Sequence, residues 1–322
     1  MTIPARVHFC WIGTRLPWAY VFAVLSAAEH SGFPEVIFHH TDTLDDGPEF
    51  RALSAANGVT LHRVDPIAYL TETGAALGLG DRLATLYREI AGRPVMQSDI
   101  LRAAVLYRQG GIYLDLDTIT VAPLAPLCDT ANFVGSEYIV WPHFVRASRS
   151  PKVWARALIL DMMRKALRRA PNGWKAFRGV ERFYYRGINN AVIGAEAGST
   201  LAAAYLRAMP AVTPEQRRDA YALGPDLLQV LVDSAAHDLT VHMPQLFYPL
   251  PPEISEHWFR IADTVDLSAA LPPETRVVHW YASVRTKSRV AEITPAYVRE
   301  HRARELYSAL VCASISGLPH GS

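Results

Sequence analysis

Residues 97–124, QSDILRAAVLYRQGGIYLDLDTITVAPL, decide the reading of this chain. Asp115 and Asp117 stand at i and i+2 in a strand pattern, IYLDLD. Side chains two apart on a strand leave from the same side, so Tyr113, Asp115 and Asp117 share one face while Ile112, Leu114 and Leu116 bury the other. Just before it, a helix pattern carries Asp99 and Arg102 at i and i+3, neighbours on a helical surface. Gly110-Gly111 joins the two patterns and returns the helix end to the strand. Three acids, one guanidinium and one phenol are thereby gathered together. Such a cluster suits a divalent metal carrying a diphosphate beside a polyhydroxyl ligand.

A bare D-x-D triplet decides nothing, because about one is expected by chance in a chain with this much Asp. The informative signal is the composite SDxxRxxxLxxxGGIYxDxD, since ordinary strands are depleted in Asp. Paired carboxylates are hard ligands for Mg²⁺ or Mn²⁺, which also take phosphate oxygens. Sugar transfer from a nucleotide diphosphate leaves negative charge on the departing group, and a cation with Arg102 stabilises it. Asp99, acceptor-only when ionised, can receive hydrogen bonds from sugar hydroxyls. Trp11, ending the first strand, either stacks on a flat base or belongs to the core. His279-Trp280 offers a further metal ligand and an aromatic lid, or else a satisfied core histidine. Asn189-Asn190 either holds a sugar or phosphate or serves a turn.

Half of the 322 residues are apolar and 20% are charged, ample for a large core. The formal net charge of +1 predicts no nucleic-acid partner. Strand patterns at 6–12, 35–39 and 59–64 alternate with helix patterns at 17–30, 81–91 and 94–109, which implies parallel βαβ units. Beyond the D-x-D strand, strands are expected at 132–140, 187–194 and 276–281. Helices are expected at 151–169, 199–209, 225–236 and 295–310. The expectation is an α/β fold, Rossmann-like, with a mainly parallel central sheet flanked by helices and a helical elaboration in the second half. One domain, 1–322, accounts for this: residues 1–145 as the nucleotide-sugar-binding half and 146–322 as the acceptor-side half. Ligands of such sheets lie beyond the carboxyl ends of the strands, here near Trp11 and the two acids.

Between residues 152 and 186 there are ten Lys/Arg against Asp161 and Glu181, a local +8, so the remainder carries −7. This segment, within the basic helical stretch 151–186, interleaves apolar and aromatic positions. It is either a helix packed on the sheet with a solvated cationic face, or a surface for an anionic membrane or an anionic acceptor. Three scattered cysteines fit free thiols of a reducing compartment. With no secretory leader pattern and no apolar run long enough to span a bilayer, a cytoplasmic location is expected, peripheral to the membrane at most.

The chain resembles the glycosyltransferases with a sugar-binding DXD region, a family that includes the yeast initiating mannosyltransferase and capsular polysaccharide transferases and is related to the glucosyltransferase domains of the large clostridial toxins. The resemblance is carried by IPxxVHFxWIG (residues 3–13), SDILR (98–102) and GGIYLDLD (110–117), and more weakly by NNAVIGAEAG (189–198), GPDLL (224–228) and HWYAS (279–283). It implies a GT-A fold, a nucleotide-sugar donor (a UDP-sugar, with GDP-mannose the other option), a divalent metal (usually Mn²⁺) and retention of anomeric configuration. The acceptor would be a glycan or a lipid-linked molecule. On matching positions, Trp11 would stack on the base, Asp99 and Arg102 hold sugar and diphosphate, and Tyr113 support the nucleotide sugar. Asp115 would contact ribose and metal, Asp117 ligate the metal, and Asn190 lie near the transferred sugar. His279 or a neighbour would complete the metal or diphosphate site, with Trp280 beside it. Where the family often reads HHWxxSW, the first His is here Val278 and the second Trp is Val284.

Two other readings compete. DLDTIT approaches the nucleophile motif of haloacid-dehalogenase-like phosphatases, but it lies far from the first strand and no GDxxxD follows. A non-catalytic glycan- or partner-binding module on the same fold is the other.

Overall fold

The computed structural model describes residues 2–234, 238–283 and 286–319; Ala236 and Val284 lie outside them. The strands are β1 (Arg6–Trp11), β2 (Glu35–His40), β3 (Val59–Arg63), β4 (Gly111–Leu114), β5 (Thr118–Thr120), β6 (Asn132–Ile139), β7 (Tyr185–Ala195), β8 (Thr240–His242) and β9 (Val277–His279). Seven of them form one sheet in the order β3-β2-β1-β4-β7-β6-β8. β3, β2, β1 and β4 run parallel, β7 is antiparallel to both β4 and β6, and β8 is parallel to β6. The α/β class and the mainly parallel, helix-flanked sheet are as expected.

Each face of the sheet has its own apolar core, sorted by the two-residue strand period. Val7, Phe9, Ile112 and Leu114 pack under the helix Trp18–His30 and the C-terminal helices. Cys10 and Tyr113 point to the other face, under the helix Pro94–Gln109. That helix reaches β4 through two glycines with positive φ, +61° at Gly110 and +110° at Gly111. A Cβ on Gly110 would meet the Ala197 amide at 2.6 Å, and one on Gly111 the Arg6 carbonyl at 2.9 Å. Backbone conformation and space both demand glycine at this joint.

Three expectations are corrected, and two helices are added. The D-x-D pair is not inside a strand: β4 stops at Leu114, and residues 115–117 turn before β5 begins. The late strand shrinks to β9 and pairs antiparallel with β5 in a separate two-stranded sheet, with Thr118 opposite His279. The closing helix is two, Pro295–His301 and Leu306–Ser314, with the buried Glu305 between them accepting from Tyr297 Oη and Ser308 Oγ at 2.7 Å. Helices Pro48–Ala55 and Pro66–Ala76, each opening on a proline, were not read from the pattern.

Three histidines on neighbouring strands form a hydrogen-bonded row behind the glycine joint. His8 Nε2 lies 2.8 Å from the Gly110 carbonyl, so it carries the hydrogen and leaves Nδ1 as acceptor. His39 Nε2 then donates to His8 Nδ1 (3.0 Å), and His62 Nδ1 donates to His39 Nδ1 (2.9 Å). Burial holds His8 down at about 4 and His39 down at about 2, both neutral. The unfolded chain takes up protons on these rings near pH 6.5 while the folded chain refuses them. Their stability contribution is therefore complete above pH 6.5 and is lost as pH falls towards the depressed values. Denaturant unfolding should cost about 2 kcal/mol less per ring at pH 5 than at pH 7, and His39→Asn should flatten that dependence. Equal stability at the two pH values would contradict the neutral row.

Candidate active site

Arg102 is the pivot of the site. It is 4% exposed. Its Nη2 meets Asp99 Oδ1 at 3.3 Å and Asp115 Oδ1 at 3.0 Å, and its Nη1 donates to the Asn190 carbonyl at 2.7 Å. The guanidinium lies 4.6 Å from the centre of the Tyr113 ring, and Tyr113 Oη donates to Asp115 Oδ1 at 2.9 Å. The helical i,i+3 spacing brings Asp99 to Arg102, and Tyr113 on β4 still meets Asp115 although Asp115 lies one residue past the strand end. Asn190, on β7 two strands from β1, donates its amide to Asp99 Oδ1 at 2.8 Å. Burial lifts Asp99 to about 7 against the pull of Arg102, so this carboxyl sits near the point where it can either donate or accept.

Asp117 leaves the turn in a different direction. His279 Nε2 meets its Oδ1 at 2.9 Å, and the Ala282 amide donates to its Oδ2 at 2.7 Å. Pairing of β5 with β9 is what brings His279 there. Burial would raise Asp117, but the His279 charge and these hydrogen bonds override it and hold its carboxyl below the usual range. Asp115 is shifted the other way, upwards by burial, against the pull of Arg102.

Asp115, Asp117 and His279 bring one ligand atom each within 4.8 Å of one another. Their chemistry fits a hard divalent cation: two carboxylates and one imidazole, with a second charged layer behind. A divalent ion would meet the negative charge of Asp115 and Asp117, with Arg102 as the fixed cation behind them. The ligating nitrogen must lose its proton for the ion to bind, which ties metal affinity to pH.

Trp11 is half-buried on the opposite face from Tyr113, its ring centre 5.3 Å from that of Tyr20 and its buried indole N–H without a partner. Trp280 is not a lid. It is fully buried, packed between Phe259 (5.6 Å) and Tyr307 (5.1 Å), so its place is in the core.

Tyr20 and Glu137 carry no sequence signal, and Gly224 and Tyr281 are marked only by the weak GPDLL and HWYAS resemblances. Tyr20 stands between Trp11 and Trp280, close enough to feel the charges of both Asp115 and Asp117. Gly224 lies against Asn190 and Asp99: a Cβ there would meet Asn190 Nδ2 at 2.8 Å and Asp99 Oδ2 at 3.0 Å. Glu137, buried on β6 and lifted to about 7 by burial, accepts from Tyr281 Oη at 2.6 Å. Tyr281 has φ +61°, strained for a tyrosine, and its ring lies 4.0 Å from that of His279. Glu137 therefore anchors the bend that points His279 and the Ala282 amide at Asp117. Glu137→Ala should weaken divalent-ion binding by about tenfold, the usual cost of a lost outer-layer support, while Glu137→Gln, which keeps an acceptor, should restore most of it. Unchanged metal affinity in Glu137→Ala would remove it from the site.

The sequence model of the family described as "Glycosyltransferase sugar-binding region containing DXD motif" matches residues 67–136. No curated protein matches the chain in sequence. Among solved structures it is similar to the PaToxG glycosyltransferase, at 16% identity over 73% of this chain and 70% of that one, with a TM-score of 0.46. It is similar to the UDP-bound glycosyltransferase domain from the YGT toxin, at 11% identity over 75% and 80%, with a TM-score of 0.41. It is similar to the galactosyltransferase LgtC in complex with donor and acceptor sugar analogs, at 14% identity over 89% and 94%, with a TM-score of 0.38. The matched segment contains the helix, glycine joint and D-x-D turn that gather Asp99, Arg102, Asp115 and Asp117.

Proposed function

We propose that this chain is a divalent-metal-dependent, retaining glycosyltransferase that moves a hexose from a nucleotide-diphosphate sugar, a UDP-sugar in the first instance, to a glycan or lipid-linked hydroxyl. The observation that supports it best is the convergence of Asp115, Asp117 and His279 beside an Arg102 already committed to two carboxylates. Asp115, Asp117 and His279 would hold Mn²⁺ or Mg²⁺, which when bound neutralises the departing diphosphate. Arg102 adds a fixed positive charge to the same side of the cleft, and its buried Nε is without a partner. Asp99 and Asn190, joined to each other, orient hydroxyls of the donor sugar. Tyr113 fixes Asp115, and Trp11 offers its ring to the base and its unpartnered N–H to a polar atom.

One domain would carry all this, with residues 1–145 supplying most of the donor site, Asn190 and His279 reaching it from 146–322, and the rest of that half shaping the acceptor side. Among the described residues no helix is long and apolar enough to cross a membrane, and Cys10, Cys128 and Cys312 are free thiols. Free thiols suit a reducing, cytoplasmic setting, and a peripheral contact with an anionic membrane would bring the site to a lipid-linked acceptor.

A donor panel tests this directly. With Mn²⁺ present and no acceptor, slow release of UDP from one UDP-sugar, or of GDP from GDP-mannose, is expected, and chelation should abolish it. The same donor should raise the melting temperature, as a ligand of the folded state does. No release and no shift across the whole panel would favour the non-catalytic binding module.

A further inference from the structure

The helix Pro151–Arg169 is built inside out. Its buried stripe includes Ala157, Leu160 and Asp161, while Leu158, Ile159 and Met162 are 51%, 56% and 62% exposed. At 100° per residue, Trp154, Leu158, Met162, Ala155 and Ile159 cover one continuous outward sector of about 140°. Leu158 and Met162 sit mid-sector, where a surface helix ordinarily carries charge.

The exposed charges of this helix are of one sign: Lys152 and Arg156 flank the sector, and Lys165 and Arg169 continue it in the last turns. The helix has a single acid, Asp161, and that is buried against Arg164 and Lys165. Two exposed aromatics extend the patch: Phe183, whose carbonyl accepts from Arg156 at 2.9 Å and whose ring lies under Arg182, and Phe144, edge-on to Tyr185. Self-association through this face would set cation against cation, so a second copy of the chain is a poor occupant. Apolar side chains ringed by Lys and Arg match the interface of an anionic bilayer, where the former enter the acyl boundary and the latter meet phosphates.

We infer that the outer face of the helix Pro151–Arg169, with Phe144 and Phe183, is a docking surface for anionic lipid. A chain of contacts links this surface to Asn190. Phe144 belongs to the short helix His143–Ala147, whose Arg146 pairs with Asp219 and Asp226 at 3.7 and 3.6 Å, beside the Gly224 that touches Asp99 and Asn190. Resting on the bilayer through this face brings the acceptor side of the site to the membrane, a purpose that rests on the transferase reading; the surface itself does not.

Co-sedimentation with vesicles tests it without any turnover. The protein should pellet with phosphatidylcholine vesicles containing about one third phosphatidylglycerol, and not with phosphatidylcholine alone. Raised salt should weaken the binding without abolishing it, because the apolar part is insensitive to screening. The double variant L158E/M162E should bind about tenfold less well. Both positions are solvent-exposed, so its melting temperature and its metal-dependent UDP release should match those of the parent protein. Equal pelleting with neutral and anionic vesicles, no pelleting with either, or a dimer that the double variant disperses would each overturn the inference. Vesicle binding without UDP release would leave this surface standing and remove the transferase reading.

Discussion

Asp117→Asn should cut turnover by about a thousandfold or more while the protein stays folded. The change keeps the shape of the side chain and an acceptor for the Ala282 amide, and removes the charge that meets His279 at 2.9 Å. Asp115→Asn should behave similarly, because Arg102 would keep Asp99 and the Asn190 carbonyl as partners. Both side chains keep some exposure, 14% for Asp117 and 24% for Asp115, so neither change leaves a fully buried hole. The measurement is turnover of the identified donor set against a circular-dichroism melt. Parent-like rates in both variants would dispose of the metal assignment.

Arg102→Ala should be the most damaging single change, and for a different reason. It strips the counter-charge from Asp99, which is 2% exposed, and from Asp115, and it empties the space over the Tyr113 ring. Removing one partner of a buried ion cluster costs about 3–5 kcal/mol, so the denaturant midpoint should fall together with activity. Arg102→Lys should recover little, since an ammonium cannot fork between Asp99, Asp115 and a carbonyl. The sign of the pH effect is also fixed. Without Arg102, the already raised Asp99 rises further, and a carboxyl with a raised folded-state value destabilises above its unfolded value and less so as pH falls. The deficit relative to the parent protein should therefore shrink between pH 8 and pH 5. A midpoint unchanged by Arg102→Ala would show that the acids do not depend on it.

What the sequence disclosed and what it withheld divide along physical lines. Asp99 with Arg102, and Tyr113 with Asp115, are local pairs whose geometry follows from helix and strand periodicity, and they meet as expected. Asn190 and His279 lie 75 or more residues beyond Asp115, and only sheet pairing delivers them, β7 against β4 and β9 against β5. The late strand was legible as a strand, but its partner was not, so His279 and Trp280 could not be separated. Pairing turns His279 to Asp117 while Trp280 packs into the core. The turn at 115–117 was hidden because Leu116 keeps the strand alternation while the chain is already leaving β4. Glu137 acts through a strained tyrosine, a feature no residue pattern records, and the GPDLL resemblance marks Gly224 without showing that its missing Cβ makes room for Asp99 and Asn190. For the segment that holds Leu158 and Met162, the sequence pattern allows a helix packed on the sheet as well as an anionic-membrane or acceptor surface, because a pattern of apolar and basic residues does not say which stripe faces outward.

The central claim is that Asp115, Asp117 and His279 hold a divalent ion that joins the protein to a nucleotide diphosphate. Calorimetric titration of UDP into the protein, with and without Mn²⁺, tests it most directly. The account predicts that Mn²⁺ tightens UDP binding by at least about tenfold in the parent protein and hardly at all in Asp117→Asn. UDP affinity that is the same with the metal and without it would contradict the account.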